Sequence, residues 1–161
     1  MIKKITIPIS DEAIRELKVG DSVLLSGVML TGRDSVHKWM NDTFITKKRQ
    51  PEGDDLEVYE AIKPILDGGI IYHCGPVVSG VETGDYKFVA AGPTTSIREE
   101  PYQALVMDHF NIKGVIGKGG MGAKTLKGCQ DTPAVYFHAI GGAASLIAQS
   151  VQKVLAVHKL D

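Results

Sequence analysis

Three short segments of the sequence combine a cation with glycine or hydroxyl residues directly after an apolar run. Residues 92–98 place two threonines, a serine and an arginine after Gly-Pro, residues 30–34 carry an arginine, and residues 117–122 carry a lysine among glycines. Hydroxyls, backbone N–H groups and guanidinium groups are the partners that anionic oxygens prefer in proteins. One cation from each segment therefore predicts a site for a ligand with more than one carboxylate.

The elements that must position these segments follow from the hydrophobic pattern. Strands are expected over residues 2–8, 22–30, 70–72, 86–91, 115–116 and 134–138, with a glycine-rich turn region between 72 and 86. Helices are expected over residues 10–17, from 34 or 35 to 44, and over 56–65, 96–109, 123–127 and 142–157, with an exposed loop over 47–55. This alternation predicts an α/β fold with a partly parallel sheet. Ligands of such sheets lie beyond the carboxyl ends of the strands, where all three segments fall.

Composition limits the classes of protein that this chain can be. Its 161 residues with 43% hydrophobic content predict one domain over residues 1–161. The formal net charge of −1 gives no electrostatic reason to expect nucleic acid or an anionic membrane as partner. The basic start resembles a signal peptide, but Thr6 and Pro8 break its apolar run, and no run approaches the roughly 20 residues of a spanning helix. We expect a soluble, cytoplasmic protein.

The two cysteines, Cys74 and Cys129, lie far apart and lack the spacing that holds zinc. Their pattern favours two separate thiols in a reducing compartment over a disulfide. His73 precedes Cys74, but neighbouring strand residues point to opposite faces, which argues against a thiolate activated by this histidine. We expect no metal ligand in this chain.

The glycine-rich segment 117–122 also fits the G-x-G-x-x-G pattern of dinucleotide sites. The acidic residue that such a site needs about 20 positions later is missing. The P-loop pattern fails because Lys118 is followed by Gly119. Taken alone, the segment favours a tight turn with a solvated Lys118, and a nucleotide-binding domain stays as an alternative.

Taken together, the motifs closely resemble the beta subunit of iron–sulfur class I fumarate hydratases and L-tartrate dehydratases. They are, in order, residues 24–27 running into 31–37, then 75–77, 92–98, 116–119 and 141–144. Their order, spacing and near-full coverage of the chain make the resemblance specific. It implies a swivelling, three-layer β/β/α domain, which agrees with the predicted α/β fold. It also implies a hydro-lyase that adds or removes water on a four-carbon dicarboxylate, fumarate and malate first, tartrate and oxaloacetate next.

The resemblance further implies a cofactor and a partner. Members of the family hold a [4Fe–4S] cluster through three cysteines, with one iron open as a Lewis acid for the substrate hydroxyl. This chain has two cysteines, neither at a cluster position, so the cluster is expected on a separate alpha subunit. The active site then forms where the two chains meet, and a dimer of alpha–beta pairs is compatible with the family.

Residue roles are implied in the same way. The resemblance places Arg33, Arg98 and Lys118 around the substrate carboxylates, where bidentate guanidinium pairs fix orientation. Thr94 matches the proposed proton-transfer threonine. A threonine hydroxyl is a poor base, so a carboxylate of the alpha subunit is the expected helper.

Structural roles are open for several of the same residues. Thr95 and Ser96 are expected to hydrogen-bond the turn or cap the following helix, and Thr94 could do the same. Asp34 supports the site or pairs with Arg33, and His37 is expected on a helix face. The family commonly has methionine and aspartate where this chain has Glu99 and Glu100, so the surroundings of Arg98, and the substrate, can differ.

A function of another class also fits the sequence. The chain could be a free-standing anion-binding or regulatory module that kept the pocket and lost the partner. An obligate partner surface would leave a large apolar patch exposed in the isolated chain, which distinguishes the two hypotheses.

Overall fold

The computed structural model of the chain describes residues 2–46, 51–139 and 144–158. The strands are β1 (Ile2–Thr6), β2 (Ser22–Ser26), β3 (Leu30–Thr31), β4 (Ile70–Tyr72), β5 (Val77–Ser79), β6 (Lys87–Ala90), β7 (Gly114–Gly117) and β8 (Val135–His138). The α-helices are α1 (Asp11–Arg15), α2 (Asp34–Met40), α3 (Gly53–Leu66), α4 (Gln103–Phe110), α5 (Ala123–Asp131) and α6 (Ala144–Gln149). A π-helical segment (Asn41–Thr46) continues α2, and a 3-10 helix (Ser96–Glu99) precedes α4.

The central sheet has four parallel strands in the order β3-β4-β7-β8. The strands β1 and β2 form a separate parallel pair, and β5 and β6 form an antiparallel pair. Crossover helices connect the parallel strands, as parallel pairing requires. The predicted α/β class with a partly parallel sheet is confirmed.

Alternating residues of the central sheet separate two hydrophobic clusters. Ile70 and Phe137 face Ile5, Ile7 and the other apolar residues of the β1–β2 pair. Ile71 and Val115 face apolar residues of the helices: Met40, Ile62, Leu66, Val106, Met107 and Phe110. The sheet therefore has strands on one side and helices on the other, which are three layers in the order β, β and α.

The strand expected over residues 22–30 is wrong, because it is two strands in different sheets. Gly27, between them, has a φ of 132°, a conformation open mainly to glycine. A Cβ there would lie 2.8 Å from the Cβ of Ile7. The chain turns at Gly27, and residues 30 and 31 pair with β4 instead of β1.

The helix expected over residues 96–109 is also two elements. Pro101 follows the 3-10 helix and lacks the N–H that a continuous helix needs, and α4 begins only at Gln103. The last helix, expected over 142–157, is α6, and residues 151–158 are not helical. Ser150 donates from both its N (3.0 Å) and its Oγ (2.6 Å) to Ile147 O, which competes with continuing the helix. Residues 142 and 143 lie outside the described residues.

Smaller differences concern the ends of elements. Helix α3 begins at Gly53, inside the expected loop of 47–55, of which residues 47–50 lie outside the described residues. Helix α2 has Arg33 at its N-cap position, without a side-chain cap, instead of Asp34 or Ser35. Strand β5 lies in the expected turn region, and α5 extends to Asp131.

None of the helices in the described part of the chain is both long and apolar enough to cross a membrane.

Candidate active site

Residues 94–96 lie across the carboxyl ends of β4 and β7. Thr94 donates to the carbonyl oxygen of His73 through both its N (2.8 Å) and its Oγ1 (3.0 Å). Ser96 N donates to Lys118 O (3.0 Å), and Thr95 forms a parallel β-bridge with Lys118. These bonds fix Thr94 and Lys118 at neighbouring strand ends, the position at which α/β sheets bind ligands.

Arg33 reaches the same edge from β3. Gly32 N donates to Tyr72 O (3.0 Å), so the chain leaves β3 beside the end of β4. The Arg33 side chain then runs over Gly75, since a Cβ at residue 75 would lie 2.6 Å from Arg33 Cδ. Because glycine has no Cβ, residue 75 leaves room for the Arg33 side chain.

Arg98 is carried by the 3-10 helix, which packs against α2. Arg33 stands at the N-cap of α2, so this contact brings the two arginine-bearing turns together. The structure thus gathers the segments of all four sequence-predicted residues, Arg33, Thr94, Arg98 and Lys118, at one edge of the sheet.

The three cations of this edge are exposed, and within the described residues none of them forms an ion pair. Arg33 is therefore not paired with Asp34, its neighbour in sequence. Lysines elsewhere do have aspartate partners within 4.0 Å: Lys3, Lys38, Lys87, Lys113 and Lys127. Cations that lack a carboxylate partner are available to an anionic ligand.

A buried polar network lies directly beneath Thr94. Tyr136 OH donates to Ser96 Oγ (3.0 Å), which lies 2.8 Å from His73 Nδ1. The other ring nitrogen of His73 lies 2.6 Å from Gln103 Oε1. Ser96 therefore bonds with the histidine that supports Thr94. Of the two bonds expected for its hydroxyl, to the turn or as a helix cap, the cap is not formed. Thr95 occupies the N-cap position but makes no side-chain cap bond either.

His37, His73 and Glu99 belong to the same buried region, with exposed fractions of 0%, 0% and 1%. Burial lowers the pKa of His37 and that of His73 to about 4 each, so both rings are neutral at pH 7. Burial raises the pKa of Glu99 to about 7. Sequence reasoning missed this cluster, because His37 was assigned to a helix face and Glu99 only to the surroundings of Arg98.

The glycine-rich turn after β7 leads into helix α5, and the side chain of Glu100 already occupies the amino terminus of that helix. Glu100 accepts hydrogen bonds from Gly122 N (3.0 Å), Lys124 N (3.0 Å) and Thr125 Oγ1 (2.6 Å) at the start of α5. Burial opposes ionisation of Glu100, but these bonds outweigh it and lower the pKa of its carboxyl. A nucleotide phosphate would need the N–H groups that this carboxylate holds, which argues against the nucleotide alternative.

The cysteines of this chain do not fit an iron–sulfur cluster. Cys74 is buried against Tyr72 and Ala91, whereas Cys129 packs against the separate cluster between the sheet and the helices. Burial raises the pKa of the Cys74 thiol to about 11, so it is not a thiolate at pH 7. Two protonated thiols in different clusters cannot replace the three thiolates of a [4Fe–4S] site.

A surface cavity of about 340 Å³ lies away from this edge, between the end of α3 and residues 109–111. It borders the amino ends of β4 and β7, whereas ligands of parallel sheets bind at the carboxyl ends. We therefore keep the edge formed by Arg33, Thr94, Arg98 and Lys118 as the candidate site.

Comparison with known proteins agrees with the motifs on which the resemblance rests. The profile described as Fumarase C-terminus matches residues 2–161. The chain belongs to the Fumarase C-terminus family. It is 47% identical over 154 residues to the Geobacillus stearothermophilus protein named "Putative fumarate hydratase class I", covering 96% of this chain and 27% of the relative.

The chain is also similar to the L(+)-tartrate dehydratase subunit beta of Escherichia coli K12. It is 34% identical over 159 residues, which cover 98% of this chain and 71% of that subunit. The chain therefore spans about a quarter of the Geobacillus relative and most of the E. coli one. The resemblance drawn from the motifs is confirmed.

Proposed function

We propose that this chain is the beta subunit of an iron–sulfur hydro-lyase, which adds or removes water on a four-carbon dicarboxylate. The observation that carries the proposal is that the segments of Arg33, Arg98 and Lys118 meet at the sheet edge that holds Thr94, with all three cations exposed and without an ion pair within the described residues. The names of the relatives, a fumarate hydratase and a tartrate dehydratase subunit, support this class of reaction.

In this proposal the cations bind and orient the substrate. A dicarboxylate needs a cation at each end, and guanidinium groups hold carboxylates in two parallel hydrogen bonds that fix the carbon skeleton. Arg33 and Arg98 take this task, and Lys118 adds a point charge on the neighbouring strand end. The orientation decides which hydrogen of the substrate faces Thr94, and hence the stereochemistry.

Thr94 exchanges the proton on the carbon next to the one that bears the hydroxyl. Its own hydroxyl proton points to His73 O, which leaves the lone pairs of Oγ1 free to face a substrate. The carbonyl of His73 cannot take up a proton, so the group that accepts the Thr94 proton must come from elsewhere. We assign it to a carboxylate of a second chain.

The partner in this proposal is an alpha subunit that holds the iron–sulfur cluster. The absence of a suitable cysteine set among the described residues supports placing the cluster there. Fumarate and malate are the first substrates to test, and tartrate is the second, since the names of the relatives divide between the two activities.

The test is anaerobic affinity purification of this chain from its native cells, under conditions in which the partner is produced. Iron and sulfide analysis and assays of fumarate and tartrate dehydration follow on whatever co-elutes. A brown complex with a second, cysteine-bearing chain and dehydratase activity is the expected result, and the preferred acid names the substrate.

A colourless protein without a second chain and without activity would overturn the proposal, provided that the partner is detected in the same lysate. Dicarboxylate binding by that solitary protein, measured by calorimetry, would then favour the stand-alone anion-binding module. Nucleotide-dependent thermal stabilisation would favour the nucleotide-binding alternative.

A further inference from the structure

We propose that His37, His73 and Glu99 form a binding site for a divalent transition-metal ion, Zn²⁺ being the ion that their donor atoms fit best. One donor atom from each residue lies within 4.8 Å of the others, and all three side chains are buried. The residues come from α2, from the end of β4 and from the 3-10 helix, so folding alone brings them together.

The hydrogen bonds of the two histidines set which ring nitrogen carries the lone pair. That of His37 has no partner, whereas that of His73 accepts from the Ser96 hydroxyl (2.8 Å). His37 Nδ1 lies 2.8 Å from Arg33 O, and because a carbonyl only accepts, the proton sits on Nδ1 and the lone pair on Nε2. His73 Nε2 lies 2.6 Å from Gln103 Oε1, which places its proton on Nε2 and its lone pair on Nδ1. Metal-bound histidines typically donate their second ring N–H to an oxygen in this way.

Two of the three donor atoms that would bind the ion have no hydrogen-bond partner of their own. His37 Nε2 and Glu99 Oε2 are buried without a hydrogen-bond partner in the described part of the chain. Glu99 Oε2 and His73 Nδ1 lie 4.0 Å apart, which is too long for a hydrogen bond. A buried acceptor without a donor is destabilising, and a cation between His37 Nε2 and Glu99 Oε2 would give both of them a partner.

The donor set selects the class of ion. Two imidazole nitrogens and one carboxylate oxygen are typical ligands of Zn²⁺ and its first-row neighbours, whereas Mg²⁺ and Ca²⁺ prefer oxygen alone. Donors around a tetrahedral Zn²⁺ lie about 3.4 Å apart at bond lengths of about 2.0–2.1 Å. Binding therefore requires a movement of about 1 Å and a turn of the Ser96 hydroxyl away from His73 Nδ1.

A metal ion bound here would connect three segments of the candidate active site. Each ligand is tied to a residue of the candidate active site: His37 bonds to the Arg33 carbonyl, the His73 carbonyl holds Thr94, and Glu99 adjoins Arg98. A bound ion would lock these three segments against one another. The site is thus structural, and it requires neither substrate nor a second chain.

The experiment uses the full chain, freed of metal with a chelator and titrated with Zn²⁺ by calorimetry. One equivalent is expected to bind with a rise in the thermal midpoint, and the Glu99→Gln and His37→Asn variants are expected to bind at least about tenfold more weakly. Co²⁺ as a spectroscopic probe should give tetrahedral bands without the thiolate charge-transfer band that Cys74 would contribute.

The controls separate this site from others. His109→Gln removes a histidine at the far end of α4 and should bind Zn²⁺ like the parent. Glu99→Gln removes an unpaired buried carboxyl, so it should fold at least as stably as the metal-free parent, and weaker binding cannot then be ascribed to unfolding. Absence of stoichiometric binding by the parent, or unchanged binding by Glu99→Gln and His37→Asn, would overturn the proposal. Neither result depends on dehydratase activity, so this proposal and the proposed function can fail separately.

Discussion

Thr94 is held by two hydrogen bonds to a single carbonyl, that of His73. The backbone bond fixes the segment, and the side-chain bond fixes the rotamer, so the position of Oγ1 relative to the end of β4 is set. His73 is itself held from both ring nitrogens by Ser96 and Gln103. This support restricts the movement of the Thr94 hydroxyl, as the proposed proton transfer would require.

Replacing Thr94 tests whether its hydroxyl takes part in the reaction. Thr94→Val keeps the shape and removes the hydroxyl, and we expect activity of the assembled enzyme to fall about 10²–10⁴-fold through kcat. Thr94→Ser keeps the hydroxyl and should retain much of the activity. Steady-state kinetics of the two variants provide the comparison, and equal activity of Thr94→Val and the parent would remove Thr94 from the mechanism.

Gly75 offers a test of the placement of Arg33. A methyl group at residue 75 would lie 2.6 Å from Arg33 Cδ, so Gly75→Ala should displace the arginine and raise KM about tenfold, with little loss of stability. The double variant with Arg33→Ala is the control. If Gly75 acts only through Arg33, its substitution adds nothing in that background, and additive effects would contradict the assignment.

At the scale of elements, Glu100 couples the 3-10 helix to the start of α5. Its carboxylate accepts from two backbone N–H groups and one hydroxyl of that first turn, where the helix dipole favours negative charge. Helix α5 is thus capped by Glu100, a residue more than 20 positions earlier in the chain.

Glu100→Gln should therefore destabilise the fold by about 1–2 kcal/mol, since the amide nitrogen cannot accept from the backbone N–H groups. Urea denaturation measures the loss. Glu60→Gln, an exposed carboxyl on α3, is the matched control and should change stability by less than about 0.5 kcal/mol. Equal effects of the two substitutions would contradict the capping role.

A second element-scale prediction concerns the β1–β2 pair and pH. Asp21 accepts from Lys3 Nζ (2.8 Å) and Lys18 N (2.8 Å), and these bonds lower the pKa of its carboxyl below 3.8, the bond from Lys3 contributing most. A carboxyl with a lowered folded pKa binds fewer protons folded than unfolded, so its stabilisation is present above pH 3.8 and is lost as the pH falls through the folded value.

Asp21→Asn should thus lower the denaturation midpoint at pH 7, and the difference from the parent should shrink as the pH approaches 3 and as salt increases. Urea denaturation over this pH range, at low and high salt, measures both trends. Glu60→Gln is again the control. A difference that stays constant over the range would mean that the carboxyl charge is not what stabilises the turn.

At the scale of the whole molecule, the candidate site is an edge and not an enclosed pocket. Arg33 and Lys118 are exposed at the carboxyl ends of parallel strands, and the exposed Arg98 lies on the 3-10 helix at the same edge, so a ligand bound there would have protein on one side only. A substrate held from one side only keeps most of its hydration, and the high dielectric constant of water weakens its ion pairs with these cations. This openness agrees with the proposal that a second chain completes the site.

We expect Arg98→Ala and Lys118→Ala to leave folding and assembly with the partner intact and to lower the kcat/KM of the assembled enzyme about 100-fold. Arg15→Ala, an exposed arginine on α1, is the matched control and should keep full activity. Size-exclusion chromatography and steady-state kinetics measure assembly and activity. Full activity of either site variant would remove that residue from the substrate contacts.

The amino-acid sequence by itself determined the chemistry of the candidate site and the class of the fold. Arg33 and Lys118 directly follow β3 and β7, at the carboxyl ends of the parallel sheet, where ligands bind. Thr94 and Arg98 follow β6 of the antiparallel pair, and Thr94 reaches the same edge through its bonds to His73 at the end of β4. Apolar periodicity located most strands and helices because it reflects which face of each element is buried. The family followed from short motifs in a fixed order.

Only the tertiary structure decided which distant groups meet. The His73 carbonyl that holds Thr94, the Glu100 carboxylate that caps α5, and the cluster of His37, His73 and Glu99 each join residues remote in sequence. The split at Gly27 depends equally on a neighbour, Ile7, since the expected continuous strand would have satisfied local propensity. Local pattern records burial and backbone preference, whereas hydrogen-bond partners and buried clusters depend on how the sheets and helices pack.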